Sequence, residues 1–146
     1  MAFKNRLYPH LLPCDIQVWE RFLSAFPDRF DRIEYDVRVG KGRPAPPEMH
    51  RVIQKAALDL SRRRIDAIGF TTNLISIIEI TRLADLKAIG QLKAYPMLYT
   101  QTYNPITPLH TILVCEEIHT DIDTILETLP VEVWVSPSPE GSPSVT

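Results

Sequence analysis

Two carboxylates stand where a chain ordinarily places hydrocarbon. Asp66 opens the apolar run "DAIGF", and Glu79 sits in the middle of "LISIIEIT". The second run reads as a strand with Ile75, Ile77, Glu79 and Thr81 on one face and Leu74, Ile78 and Ile80 on the other, so it is apolar on both sides. A carboxylate left unpaired there is either costly or protonated, which predicts a cation, a basic side chain or a metal beside Glu79. Asp66, on the adjoining strand, offers a second acid. Two carboxylates completed by water and phosphate oxygens suit a hard divalent cation such as Mg²⁺, and such a cation orients a water and screens charge developing on a phosphodiester. The structural alternative for Glu79 is a pairing with a buried arginine.

Other chemistries lack their residues. His10, His50, His110 and His119 have no HxxxH-type spacing, and Cys14 and Cys115 no metal-ligand spacing; Cys115, in "TILVCEE", reads as a buried thiol in a reducing compartment. "VGKGRP" lacks the GK[ST] ending of a phosphate loop and reads as a basic turn. Arg62, Arg63 and Arg64 could touch phosphates, although a cluster at a helix end is ordinarily solvated. Glu48 and Asp59 could add a third acid from the preceding helix, but read first as surface charges.

The elements that must position the two acids read as follows. With 146 residues, 45% hydrophobic and 23% charged, the chain has the makeup of one domain with a single core. "CDIQVWERFLSAF" carries a helical stripe opened by Asp15 as its cap, and "RIEYDVRVG" alternates as a strand with one wet face. "EMHRVIQKAALDLSRRR" predicts a helix over 48–63 with an apolar side. "IDAIGF" and "LISIIEIT" form a hairpin through "TTN", followed by a helix over 84–95 bent by Pro96. "HTILVCEE" and "VEVWVS" are strands around a short helix "DIDTILETL". The fold class is α/β, a central mixed β-sheet flanked by the 48–63 and 84–95 helices.

The stretch "RRRIDAIGFTTNLISIIEITRLADLKAIGQLKAYPMLY" resembles the core of the PD-(D/E)XK nuclease superfamily, with an aspartate opening one strand, an acid-x-lysine on the next and Gln-x-x-x-Tyr on the following helix. The resemblance implies a restriction-endonuclease-like core, with Asp66 and Glu79 as the metal-binding acids and Gln91 and Tyr95 as the helix pair bordering the site. It departs at the catalytic lysine, where this chain has Thr81, and Arg82 falls on the opposite face of the strand. Lys87 can substitute, because Lys87, Gln91 and Tyr95 are spaced four apart on one helix face. The structural alternatives are a solvated lysine, a backbone-bridging glutamine and a core tyrosine with a wet hydroxyl.

Three regions follow: an N-terminal arm over 1–13, a nuclease-fold domain over 14–136 and a Pro/Ser-rich tail over 137–146. The arms are expected to contact other subunits in a homo-oligomeric ring or larger assembly. Net charge −2 and pI ≈ 6.1 supply no overall positive field, so any contact with DNA must come from a local patch and be weak. There is no apolar run of about 18 residues for a membrane span and no signal-peptide core at the start, which predicts a cytoplasmic or virion protein. The missing lysine and the arms favour an inactive nuclease-fold subunit of a DNA-handling assembly, such as a phage head-completion or head-to-tail connector, with no cofactor. The alternative is a Mg²⁺-dependent DNA endonuclease using Asp66, Glu79 and the relocated Lys87.

Overall fold

A computed structural model describes residue 8 and residues 10–138. The expected arm over 1–13 therefore lies outside the described residues at 1–7 and 9, and the expected tail at 139–146. Helix α1 spans Pro13–Ala25, strand β1 Arg32–Val39, helix α2 Arg51–Ser61, β2 Arg63–Phe70, β3 Ile75–Ala84, α3 Leu86–Tyr103 and β4 Leu109–Ile118. A 3₁₀ turn over Thr120–Ile122 runs into α4 at Asp123–Glu127, and β5 spans Glu132–Val135. No helix among the described residues is long and apolar enough to cross a membrane.

The strands make one mixed sheet in sequence order. β1, β2 and β3 are an antiparallel meander, and β4 and β5 join it parallel. Each parallel step needs a crossover, supplied by α3 between β3 and β4 and by the short helical segment between β4 and β5. Helices cover both faces. Ile16, Trp19 and Phe22 of α1 pack on Ala67, Ile78, Ile80, Ile112 and Val114, while Tyr95 and Tyr99 of α3 pack on Ile68, Ile75 and Ile77, and Leu92 on Leu113 and Cys115. Neighbours such as Ile77 and Ile78 alternate between the two clusters, as a pleated strand requires. Glu79 and Thr81 share the phase of Ile75 and Ile77, which turns them to the α3 side.

Four expectations need correction. First, β1 does not keep one phase: Ile33 and Tyr35 join the α1 cluster, whereas Val37 and Val39 join the α3 cluster. The switch is at Asp36, which adopts φ 55, and the ladder to β2 skips from Tyr35–Ala67 to Val37–Ile65. A left-handed residue turns the strand over, so equal parity no longer means the same face. Second, the flanking helices are α1 and α3. Helix α2 buries no residue, and Val52, Ile53 and Leu60 are exposed. The paired ends Val39–Arg63 close below it, so the segment between them leaves the sheet as an excursion, and its apolar side is not buried against any of the described residues. Third, α3 continues through Pro96 to Tyr103, and Arg63 and Arg64 belong to β2 rather than to a helix end. Fourth, Asp15 is not the cap of α1: Leu12 is, with Pro13 in the first turn, where its missing N–H costs nothing.

Candidate active site

The site forms where β3 leaves β2. Their ladder runs from Phe70–Ile75 to Ala67–Ile78 and stops, while β3 continues beside β4 to Ala84–Ile118. Asp66 is the next residue beyond the ladder, and it is also the residue skipped opposite Asp36 on the other side. Released from both neighbours, it uses its side chain instead: Asp66 Oδ2 accepts the backbone N–H of Ile80 at 2.9 Å, in the gap where a ladder bond would have been. Glu79 lies at the same fork. It is only 8% exposed, and its Oε2 is buried with no hydrogen-bond partner.

The two carboxyls lie close enough to feel each other, but burial is the larger influence on both. Burial pushes Asp66 up to about 6 against the Ile80 N–H bond, which favours its charged form. Burial, then repulsion from Asp66, holds Glu79 well above the ordinary carboxylate range. Like charges this close resist double ionisation, so the pair retains a proton until a cation replaces it. The cation that lowers both carboxyls is Lys87.

Lys87 is there because β3 and α3 are nearly continuous. Ala84 ends the strand, Asp85 caps the helix by accepting the N–H of Leu86 at 2.8 Å, and Lys87 stands exposed in the first turn. Gln91 and Tyr95 continue its row, and Gln91 Nε2 donates to Tyr95 Oη at 3.1 Å. Tyr95 is buried, which raises its hydroxyl, and it feels the charge of Glu79 and Asp66. The fold thus brings together all five residues singled out from the sequence: Asp66, Glu79, Lys87, Gln91 and Tyr95. Thr81 spends its hydroxyl locally on Leu83 O at 3.2 Å. Arg82 pairs with Glu117 at 3.9 Å, and no buried arginine meets Glu79 among the described residues.

Asp15 belongs to this site and was missed. Its Oδ1 accepts the N–H of Arg82 at 2.8 Å, burial raises its carboxyl, and its charge raises both Asp66 and Glu79. Only the sequence-distant contact between α1 and β3 reveals this; locally it is one acid in a first helical turn. Glu48 and Asp59, read first as surface charges, line neither cleft at the acid pair. Among the described residues no three His, Cys, Asp or Glu side chains form a metal cluster.

Two clefts adjoin the pair, one reaching both acids and the other Asp66 alone. One, of about 500 Å³, is lined by Asp15, Asp66, Glu79, Thr81, Lys87 and Gln91 among others. The second, of about 380 Å³, shares Asp66, Lys87 and Gln91 with it and adds Arg63, Arg64 and Tyr95. Cations and acids therefore line both clefts together.

No protein-family model and no curated protein matches the chain. Among solved structures it is similar to the crystal structure of a repair endonuclease from Pyrococcus abyssi, at 17% identity and a TM-score of 0.42, over 83% of this chain and 47% of that one. The chain spans about half the length of that protein.

Proposed function

We propose that this chain is a divalent-metal-dependent phosphodiesterase acting on nucleic acid, with Lys87 in the role of the missing strand lysine. The observation that carries the reading is Lys87 lining one cleft with the close Asp66–Glu79 pair, whose carboxyls it lowers by its charge. The donor set fits a hard cation: two carboxyls, one with a buried oxygen lacking any partner, on a wall open to water and phosphate. Asp66 and Glu79 would hold Mg²⁺ or Mn²⁺, which supplies Lewis acidity toward a phosphoryl oxygen and a more acidic bound water.

The remaining work falls to the chain itself. Lys87 places a positive charge where negative charge grows on the phosphoryl group, from the first turn of a helix that follows directly on the strand of Glu79. Gln91, whose amide nitrogen donates to Tyr95 Oη, lines the cleft and has its carbonyl oxygen left to orient a water. Ile80 N–H fixes the Asp66 carboxyl by one oxygen and leaves the other to the opening. Asp15 tunes the pair from α1 without joining it, because its own carboxyl is engaged by Arg82 N–H.

Nicking of supercoiled plasmid with Mg²⁺ or Mn²⁺ tests this reading. The native chain is expected to nick, and Glu79→Ala and Lys87→Ala are each expected to lose about 10²-fold or more. A native chain that binds metal yet leaves the plasmid intact would return the account to the inactive assembly subunit that the missing lysine suggested.

A further inference from the structure

The overall charge of −2 hides a division within the chain. Between residues 38 and 64 eight arginines and lysines stand against two acids, Glu48 and Asp59, a net charge of +6, so the remainder carries −8. This segment is the excursion that carries α2 away from the sheet. Three of its cations are spent holding it in place. Arg38 Nη1 donates to Asp59 O at 2.9 Å, Arg62 Nε donates to Gly40 O at 2.9 Å, and Arg64 lies 3.7 Å from Asp36. The other five, among them Lys41, Arg43 and Arg63, are exposed.

The excursion is rigidly tied at its base. Gly40 N–H donates to Thr102 Oγ1 at 3.0 Å, Tyr103 Oη donates to Arg38 O at 2.7 Å, and Arg43 N–H donates to Ser61 Oγ. Gly42 closes the loop at φ 72, and a Cβ there would meet Leu58 O at 2.6 Å, so only glycine allows the loop to lie against the end of α2. A cleft of about 570 Å³ lies along this base, lined by Lys41, Gly42, Arg43, Ser61 and Arg63. Arg63 also lines the 380 Å³ cleft that contains Asp66 and Lys87. The two clefts therefore meet at Arg63, which stands between Asp66 on one side and Lys41 and Arg43 on the other.

We infer that the excursion over residues 38–64 is the surface that grips the phosphate backbone of the nucleic acid, with Lys41, Arg43 and Arg63 tracking the strand away from the acid pair. This rests on the proposed phosphodiesterase and names how its substrate is held. Cations fixed in advance along a groove neutralise successive phosphates and release their counterions, which gives affinity without sequence reading. It also explains how a chain of pI ≈ 6.1 can bind a polyanion: the acids sit elsewhere.

The test is fluorescence anisotropy of a labelled DNA duplex and of its single strand, in EDTA so that nothing is cut, between about 50 and 200 mM salt. The proteins are the native chain, Lys41→Ala/Arg43→Ala/Arg63→Ala, and Arg32→Ala as an exposed control from the far end of β1. The triple variant is expected to flatten the dependence of log affinity on log salt by about 2 to 3 and to lose tenfold or more in affinity at the middle of that range, while Arg32→Ala binds as the native chain does. Anionic phosphatidylserine vesicles form a parallel arm, because Val52, Ile53 and Leu60 leave an apolar strip on the same segment. A triple variant that binds like the native chain, a native chain that binds neither nucleic acid, or binding to vesicles alone would overturn the inference. Because the measurement needs no catalysis, a chain that binds as expected but never nicks plasmid sinks the phosphodiesterase and leaves the surface standing. A chain that nicks but ignores the three cations does the reverse.

Discussion

Replacing Asp66 by asparagine should stabilise the metal-free protein and abolish the proposed plasmid nicking. Burial moves the Asp66 carboxyl from 3.8 to about 6, roughly 2 units, and at about 1.4 kcal/mol per unit the ionised side chain costs the native state at most about 3 kcal/mol. The sign follows from where the proton is held. As pH rises past 3.8 the unfolded chain gives up its proton while the native chain keeps it to about 6, so stability falls across that window and stays low above it. The asparagine side chain carries no charge, and its amide oxygen can still accept the Ile80 N–H. The variant should therefore match the native chain below 3.8 and exceed it above 6, with Tm higher by about 2–4 °C per kcal/mol. Thermal unfolding followed by circular dichroism across this range measures it, and Mg²⁺ should raise the native Tm while leaving the variant unmoved. A variant less stable than the native chain above 6, or one offset equally on both sides of the window, would refute the reasoning.

Three further outcomes follow from single positions. Asp15→Asn removes a charge that raises both site carboxyls, so calorimetric titration of Mn²⁺ should reach half-maximal binding at lower pH than in the native chain, and a shift upward would contradict that role. At Asp36, whose φ is 55, glycine should be better tolerated than alanine by about 1 kcal/mol in urea midpoints, the reverse of the ordinary order in a strand; alanine equal to glycine would mean the backbone there is unstrained. Gly69→Ala would set a Cβ 2.4 Å from the Phe30 ring and should cost about 1–3 kcal/mol, most of it recovered when Phe30→Leu is added; an unchanged midpoint would show that the ring moves freely.

Much of this site was legible because it is local. Asp66 and Glu79 stand out against isoleucine, and the spacing of Lys87, Gln91 and Tyr95 is that of one helix face, so neither required knowledge of distant contacts. The α/β class and the hairpin carrying the two acids were legible for the same reason, since period 2 and period 3.6 are written in short windows. What was illegible depends on tertiary geometry. The turnover of β1 at Asp36 hides inside an unbroken alternation from Ile33 to Val39, because a left-handed aspartate leaves no trace in polarity. Helix α2 has the pattern of a buried element and, among the described residues, no partner to bury against, which no periodicity can announce. Asp15 reaches the site across 67 residues, and the positive field was invisible in a net charge that averages +6 against −8.

The most direct test of the central claim moves the cation rather than removing it. If Lys87 supplies the charge that the strand position lacks, Lys87→Ala should lose about 10²-fold or more in plasmid nicking, and adding Thr81→Lys to that variant should restore a large part of the rate, since Thr81 lines the same cleft on the same strand face as Glu79. Metal affinity, measured in parallel by titration, should vary far less than the rate across the three proteins. Native activity unaffected by Lys87→Ala, or a double variant as inert as the single one while still binding metal, would contradict it.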